Sequence, residues 1–131
     1  MKLFFEKADI DVKGFISDNM SEKEFFNFCQ QNESLRIERD DTGQIFIMAP
    51  TSSETGSINF RIAAEIVFWN KIKKSGVAFD SSTGFTLHDN SVLSPDVSWI
   101  LNEKWNKISK KDKERFAHIC PDFVIEFKKQ I

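Results

Sequence analysis

The sequence predicts an α+β fold in which one long helix packs on a mixed sheet. Three observations support this prediction. The segment from Thr51 to Gly76 carries apolar residues at helical spacing, two extended runs around the turn sequence DDTG precede it, and several short apolar runs follow it. Runs of strands around one dominant helix are typical of α+β proteins. Because no repeat or linker interrupts the chain, we expect residues 1–131 to form a single domain.

The composition fits a soluble protein with one core. Hydrophobic residues make up 40% of the 131 residues and aromatic residues 13%, which is enough to fill a single core. Cys29 and Cys120 lie far apart without metal-binding spacing, so reduced thiols and a cytoplasmic location are expected. Charged residues interrupt the N-terminal segment, and no apolar stretch is long enough for a signal peptide or a membrane span.

The charge is unevenly distributed along the chain. The formal net charge of −2 gives no general attraction to nucleic acid. The segment from Asn102 onward, however, contains eight Lys or Arg residues and five Asp or Glu residues. This basic end could hold a phosphate, although a solvated helix is the commoner explanation for a run such as Lys107 to Arg115.

The first predicted elements are a short helix and a β-hairpin, which follow an irregular start. In SEKEFFNFCQQN, Ser21 and Glu24 have the spacing of a capping box, which predicts a helix that begins after Ser21. The next segment, LRIERDDTGQIFIMAP, has two extended runs around a turn sequence. It predicts strands from Leu35 to Arg39 and from Gln44 to Met48.

The long helix and the remaining short elements complete the prediction. Polar residues before Ile58 supply caps for the long helix, and lysines followed by Gly76 end it. A short helix capped by Ser109 is expected from Lys110 to Phe116, and CPDFVIEFKKQI forms the last strand. The other predicted strands are Val77 to Asp80, Phe85 to Leu87 and Asp96 to Leu101, with a turn at HDN between the last two.

Two acidic residues near prolines form the candidate site. Pro95 and Pro121 each precede a predicted strand, where proline is tolerated because it has no ladder donor to offer. If the strands near Asp96 and Glu126 are neighbours, their carboxylates can converge on a hard cation such as Mg²⁺. Lys128 shares a strand face with Glu126 and could hold an attacking water or neutralise developing negative charge.

Each of these residues also has a structural interpretation. Asp96 could accept hydrogen bonds from backbone amides at a strand start, and Glu126 could form an ion pair with Lys128 or Arg61. Lys128 could simply be solvated near the chain end, and Asp122 is expected to have no catalytic role. We interpret the two histidines, which share no ligand spacing, as surface or structural residues: His88 and His118. The tryptophans could stack on bases, but their apolar neighbours favour the core: Trp69, Trp99 and Trp105.

The same residues carry a resemblance to a known family. SPDVSWI followed by Glu126-Phe127-Lys128 resembles the PD-(D/E)xK pattern of metal-dependent nucleases. The wider sequence is similar to the Uma-type family of restriction endonucleases in five ordered segments that span most of the chain from Ser21 to Phe127. These segments are SEKEFFNFC, LRIERDDTGQIFIMAP, TSSETGSINFRIAAEIVFWN, FDSSTGFTLHDNSVLSPDVSWI and ICPDFVIEF.

The resemblance implies a restriction-endonuclease-like fold that acts on DNA with Mg²⁺ or Mn²⁺. Carried over to this sequence, it makes Asp96, Glu126 and Lys128 the catalytic residues, with Asp96 and Glu126 as metal ligands. An upstream acid can complete such a site. Glu38 is the first candidate because its segment matches the family, and Glu54 and Glu65 are the others.

The chain departs from the family pattern at its C-terminus. Members typically continue after the glutamate through a Ser-Pro step, a helix bearing a lysine and further strands, whereas this chain ends in FKKQI. We therefore expect a shortened domain that lacks the C-terminal helix and strands. An alternative function is a degenerate nuclease-fold protein that acts as a binding or dimerisation module, with homodimers formed through the open sheet edge. A small non-enzymatic interaction protein is a third possibility.

Overall fold

The computed structural model describes residues 2–5, 8–11, 14, 17 and 19–127. Two strands, β1 (Lys2–Phe5) and β2 (Ala8–Asp11), form an antiparallel hairpin at the N-terminus. The prediction of an irregular start is therefore wrong. Leucine, phenylalanine and isoleucine favour extended backbone, and the charged residues between them concealed this preference in the sequence.

The first helix, α1 (Glu22–Gln31), has the predicted capping box. The Glu24 amide donates to Ser21 Oγ and the Ser21 amide donates to Glu24 Oε1, both at 3.1 Å. These bonds satisfy donors that a helix start leaves without partners. Phe25 and Phe28 are fully or almost fully buried, so α1 is held to the sheet by its aromatic side.

The predicted hairpin is confirmed as β3 (Arg36–Arg39) paired with β4 (Ile45–Met48). Asp40 organises its turn, because Asp40 Oδ1 accepts bonds from the Thr42 amide, the Thr42 hydroxyl and the Gln44 amide. Gly43 has a φ of 90°, a left-handed conformation that glycine adopts at little cost. The DDTG signal was therefore sufficient to locate this turn.

The hairpin belongs to a five-stranded mixed sheet with the order β4-β3-β7-β6-β9. Its other strands have two residues each: β6 (Phe85–Thr86), β7 (Val92–Leu93) and β9 (Ala117–His118). The pair β6 and β9 is parallel, and the other pairs are antiparallel. The predicted HDN turn joins β6 to β7, with the Asn90 amide bonded to the Leu87 carbonyl.

A second sheet is antiparallel and has the order β10-β8-β5. Its strands are β5 (Gly76–Phe79), β8 (Val97–Leu101) and β10 (Phe123–Ile125). The long helix α2 (Ser53–Lys73) packs on it. Trp69 contacts Trp99 edge to face, with ring centroids 5.4 Å apart, and Asn70 Oδ1 accepts bonds from Trp99 Nε1 and the Gly76 amide.

Along the chain, two short helices follow β8 and precede β9. The helix α4 (Lys110–Lys113) is capped by Ser109 as predicted but ends before Phe116, because the chain then enters β9. The helix α3 (Asn102–Asn106) was not predicted. Leu101 at its N-cap makes no side-chain capping bond, so the sequence carries no start signal for α3.

The core consists of two buried clusters. One joins α1 to the five-stranded sheet and contains Phe25, Phe28, Ile37 and Val92. The other joins the two sheets and contains Phe85, Ile100, Ala117 and Ile119. The α+β fold class with a mixed sheet is therefore confirmed. Trp99 and Trp105 are half-buried, whereas Trp69, which we expected in the core, is 42% exposed.

Candidate functional site

The candidate site is built on strand β3, whose side chains alternate between two faces. Ile37 and Arg39 are buried on the face that α1 covers, whereas Arg36 and Glu38 are half-buried on the opposite face. The polar pair Arg36 and Glu38 points to the segment that precedes β8, where Asp96 lies. The alternation in LRIER thus brings one arginine and one acid to the same place.

The structure brings Asp96 and Glu126 to the same end of neighbouring strands. In the pair of β8 with β10, Val97 lies opposite Ile125, and Asp96 and Glu126 are the next residues at that end. The Phe127 amide donates to Asp96 Oδ2 at 2.7 Å, which fixes the chain around Glu126 to the Asp96 carboxylate. Two residues that are distant in sequence therefore become neighbours.

Arg36 and Glu38 hold the segment Ser94–Asp96 from one side. Arg36 Nη2 lies 3.4 Å from Asp96 Oδ1 and also donates to the Ser94 carbonyl. Glu38 Oε2 accepts a bond from the Ser94 amide at 3.2 Å. Both backbone groups of Ser94 are therefore bonded to β3 side chains. This arrangement fixes the position of the Asp96 carboxylate relative to Glu38.

Negative charge exceeds positive charge at this site. We define the acid cluster as Glu38, Asp96 and Glu126. Partial burial raises the pKa of Glu126 above its usual value, and the charges of Asp96 and Glu38 raise it further, while Arg36 opposes them. Among the described residues, three carboxylates and one guanidinium give a formal charge of −2. Such a site has the charge that a divalent cation would balance.

The donors of the acid cluster fit a hard divalent cation in chemistry and charge, because carboxylate oxygens are the ligands that Mg²⁺ and Mn²⁺ take. Their present arrangement is not that of a metal site: within the described part of the chain, no three His, Cys, Asp or Glu side chains are grouped to hold a metal. Arg36 occupies one oxygen of Asp96, and a backbone amide occupies the other. A cation would have to replace Arg36 at Oδ1.

The other predicted residues are not part of the described acid cluster. Lys128 lies outside the described residues. Glu54, Glu65 and Arg61 are exposed on α2, and none of them is among the charges that shift the pKa of Glu126. Asp122 accepts bonds from the Leu101 amide at 2.9 Å and from Lys104 Nζ at 3.1 Å, and these bonds lower its pKa.

Sequence reasoning missed two features of the molecule. The first is Arg36, which the period-two alternation with Glu38 could have indicated. The second is a bridge at His118, whose Nδ1 lies 2.7 Å from Asp112 Oδ1 and whose Nε2 lies 3.0 Å from the Glu22 carboxylate. Bonds to Glu22 and Asp112 raise the pKa of His118. This bridge joins α1 to the α4–β9 segment, so one histidine links elements that are far apart in sequence.

Comparison with known proteins identifies the family. A family model named Uma2 and described as "Putative restriction endonuclease" matches residues 22–130. A search of the curated proteins gave no match. None of the helices formed by the described residues is long and apolar enough to cross a membrane. The matched segment covers most of the chain and contains the whole acid cluster, so this protein belongs to the Uma2 family.

Proposed function

We propose that this protein is a metal-dependent DNA endonuclease that hydrolyses phosphodiester bonds at the acid cluster. The observation that carries the proposal is the convergence of Glu38, Asp96 and Glu126 with a formal excess of negative charge, visible in the raised pKa of Glu126. Family membership supports a nuclease. The substrate DNA, the metal and the hydrolytic chemistry are our inference from these two facts.

Asp96, Glu126 and Glu38 would hold Mg²⁺ or Mn²⁺. A divalent cation there would neutralise phosphate charge and lower the pKa of a water molecule. The protein's own groups prepare this site in two ways. The Phe127 amide orients the Asp96 carboxylate, and the Ser94 amide orients that of Glu38.

A cationic side chain near the acid cluster would stabilise negative charge on the phosphate. Lys128 is the residue that the family motif assigns to this task. Arg36 already places a guanidinium against Asp96, at 3.4 Å from Oδ1. We infer that Arg36 would be released from Asp96 when a metal ion binds, because Asp96 Oδ1 cannot contact both the guanidinium and the metal ion at close range.

Two measurements test the proposal. Addition of Mn²⁺ should raise the melting temperature of the wild type by mass action, and Asp96→Asn should abolish this rise. A plasmid-nicking assay with Mn²⁺ should show cleavage by the wild type and none by Glu126→Gln. The matched control is Glu65→Gln, which removes an exposed acid on α2 and should behave as the wild type. Absence of both the Mn²⁺ shift and nicking in the wild type would refute the proposal.

A second candidate function is a binding or dimerisation module, and the exposed apolar surface favours it. Strand β10 forms an edge of its sheet. Its consecutive residues Phe123 and Val124 point to opposite faces of the sheet, yet both side chains are exposed, at 47% and 46%. On α2, Phe60 is 78% exposed. An open edge with exposed apolar residues can pair with a second copy. Light scattering should then give the mass of a dimer, and Val124→Lys should give the monomer.

A further inference from the structure

A cavity lies on the face of β3 opposite the acid cluster, between α1, the five-stranded sheet and α4. Its volume is about 160 Å³. Phe25, Phe26, Phe116 and Val92 supply apolar walls. A cavity of roughly 150 Å³ with apolar walls can accommodate a molecule of the size of benzene. The space therefore suits one small ring rather than a nucleotide.

Arg39 lines this cavity and is unusually short of partners. It is only 5% exposed. Its Nη1 donates to the Met20 carbonyl at 2.9 Å, and its guanidinium lies 4.5 Å from the centroid of the Phe25 ring. Arg39 Nε is buried without a hydrogen-bond partner. None of the ion pairs found among the described residues includes Arg39. A buried cation without a counter-charge is costly, and such a group calls for an explanation.

The acids of the cavity are bonded to other groups. Glu22 and Asp112 both bond to His118, at 3.0 Å and 2.7 Å respectively. Arg39 also lines a more open cavity that contains Asp40, but Asp40 Oδ1 already accepts three bonds within the hairpin turn. None of these carboxylates forms an ion pair with Arg39.

Further positive charge faces the same space. Lys111 and Arg115, from the basic run after Lys107, line the cavity together with Arg39. With Glu22 and Asp112 counted, the lining carries three fixed positive and two negative charges, and a protonated His118 would add a fourth positive charge. The cavity therefore combines an excess of positive charge with aromatic walls. This combination matches a ligand that has a negative end and an apolar body.

We propose that this cavity binds a small organic carboxylate whose charged end contacts Arg39 and whose apolar body packs against Phe25, Phe26 and Phe116. Carboxylates pair well with guanidinium because two oxygens can meet neighbouring N–H groups. The proposal does not depend on the nuclease function, because the cavity and the acid cluster lie on opposite faces of β3.

Benzoate is a suitable probe because its ring matches the cavity volume. We expect benzoate to raise the melting temperature of the wild type by about 3 to 5 °C at tenfold excess over its Kd, and further with the logarithm of its concentration. Arg39→Met should lose this rise while keeping an apolar chain over Phe25. The matched control Arg61→Met removes the same charge from an exposed position on α2 and should retain the rise. Equal rises in the wild type and Arg39→Met would overturn the proposal.

Two further probes separate the charge from the apolar body. Benzyl alcohol has the ring without the charge, and inorganic phosphate has charge without the ring. The proposal requires benzoate to stabilise the protein more than either probe at the same ionic strength. An equal effect of phosphate would refute the role of the aromatic walls, and an equal effect of benzyl alcohol would refute the role of Arg39.

A measurement on the wild type covers the case in which Arg39→Met fails to fold. The ¹H–¹⁵N spectrum of arginine side chains reports each Nε–H group directly. Benzoate should shift the Nε–H signal of Arg39 and leave that of Arg61 in place. If benzoate shifts neither signal at a concentration that raises the melting temperature, the ligand does not contact Arg39 and the proposal is wrong.

Discussion

Arg36 and Arg39 lie three residues apart on β3 and have opposite surroundings. Arg36 contacts the Asp96 carboxylate and the Ser94 carbonyl within a cluster of excess negative charge. Arg39 contacts one carbonyl and one aromatic ring in a cavity of excess positive charge. Because side chains alternate along a strand, an odd separation places the two arginines on opposite faces. Two arginines on one strand therefore have different electrostatic roles, because their surroundings differ.

The two faces therefore point to ligands of opposite sign. The acid cluster carries one cation for three carboxylates and fits a divalent metal. The cavity carries a buried guanidinium that has no ion pair among the described residues, and it fits an organic anion. Substitutions on either face of β3 test this difference between a cation site and an anion site.

The largest expected effect concerns Asp96 in the proposed nuclease. Asp96→Asn keeps the shape of the side chain but removes the carboxylate charge that Arg36 and the Phe127 amide contact. We expect plasmid nicking to fall by about a hundredfold or more, equal to about 2.7 kcal/mol in the activation barrier. Initial rates at saturating Mn²⁺ measure this change. A loss smaller than threefold would show that Asp96 is a strand-start residue without a role in catalysis.

The next effect concerns Arg36. Arg36→Met leaves three carboxylates close together without a cation from the described residues, so we expect the free energy of unfolding to fall by about 2 kcal/mol. This value is below that for a fully buried pair because the Arg36 side chain is 33% exposed. Urea denaturation without metal measures it. Mn²⁺ should restore part of the loss, whereas an unchanged midpoint would show that the charges do not interact strongly.

A change of opposite sign is expected for Arg39. Arg39→Met replaces a buried cation, which forms no ion pair with the described residues, with an apolar chain of similar length. The free energy of unfolding should stay constant or rise by about 1 kcal/mol in the absence of anions. The same urea titration measures it. A loss above about 2 kcal/mol would contradict the view that Arg39 is held at a cost to stability.

The smallest effect concerns pH and the His118 bridge. The folded-state pKa of His118 is raised by Glu22 and Asp112. A raised histidine pKa contributes stability that is fully present below the unfolded value near 6.5 and is lost as pH rises through the folded value. His118→Gln should therefore destabilise the protein at pH 5.5 by about 0.5 kcal/mol and by less at pH 9, since the bridge is half exposed.

Thermal unfolding of both proteins across this pH range checks the prediction. Lys111, Arg115 and Arg39 line the same cavity as the bridge, but none of them is among the groups that shift the pKa of His118. A His118→Gln difference that grows with pH would reverse the sign and exclude the bridge as its cause.

Local sequence signals predicted the elements that depend on nearby residues. The capping box at Ser21, the DDTG turn and the apolar spacing of the long helix correctly located α1, the β3–β4 hairpin and α2. Each of these elements is fixed by residues within a few positions of one another. The alternation in SPDVSWI and CPDFVIEF also singled out Asp96 and Glu126 before their strands were known to pair.

The sequence by itself therefore determined the main helices, the hairpin and the two acids of the candidate site. The folded chain alone shows that β8 pairs with β10, that Arg36 lies against Asp96, and that Arg39 is buried without an ion pair among the described residues. The two-residue strands β7 and β9 likewise exist because neighbouring strands bond to them. Contacts such as Arg36 with Asp96 join residues 60 positions apart, and local propensity carries no information about which distant side chains meet.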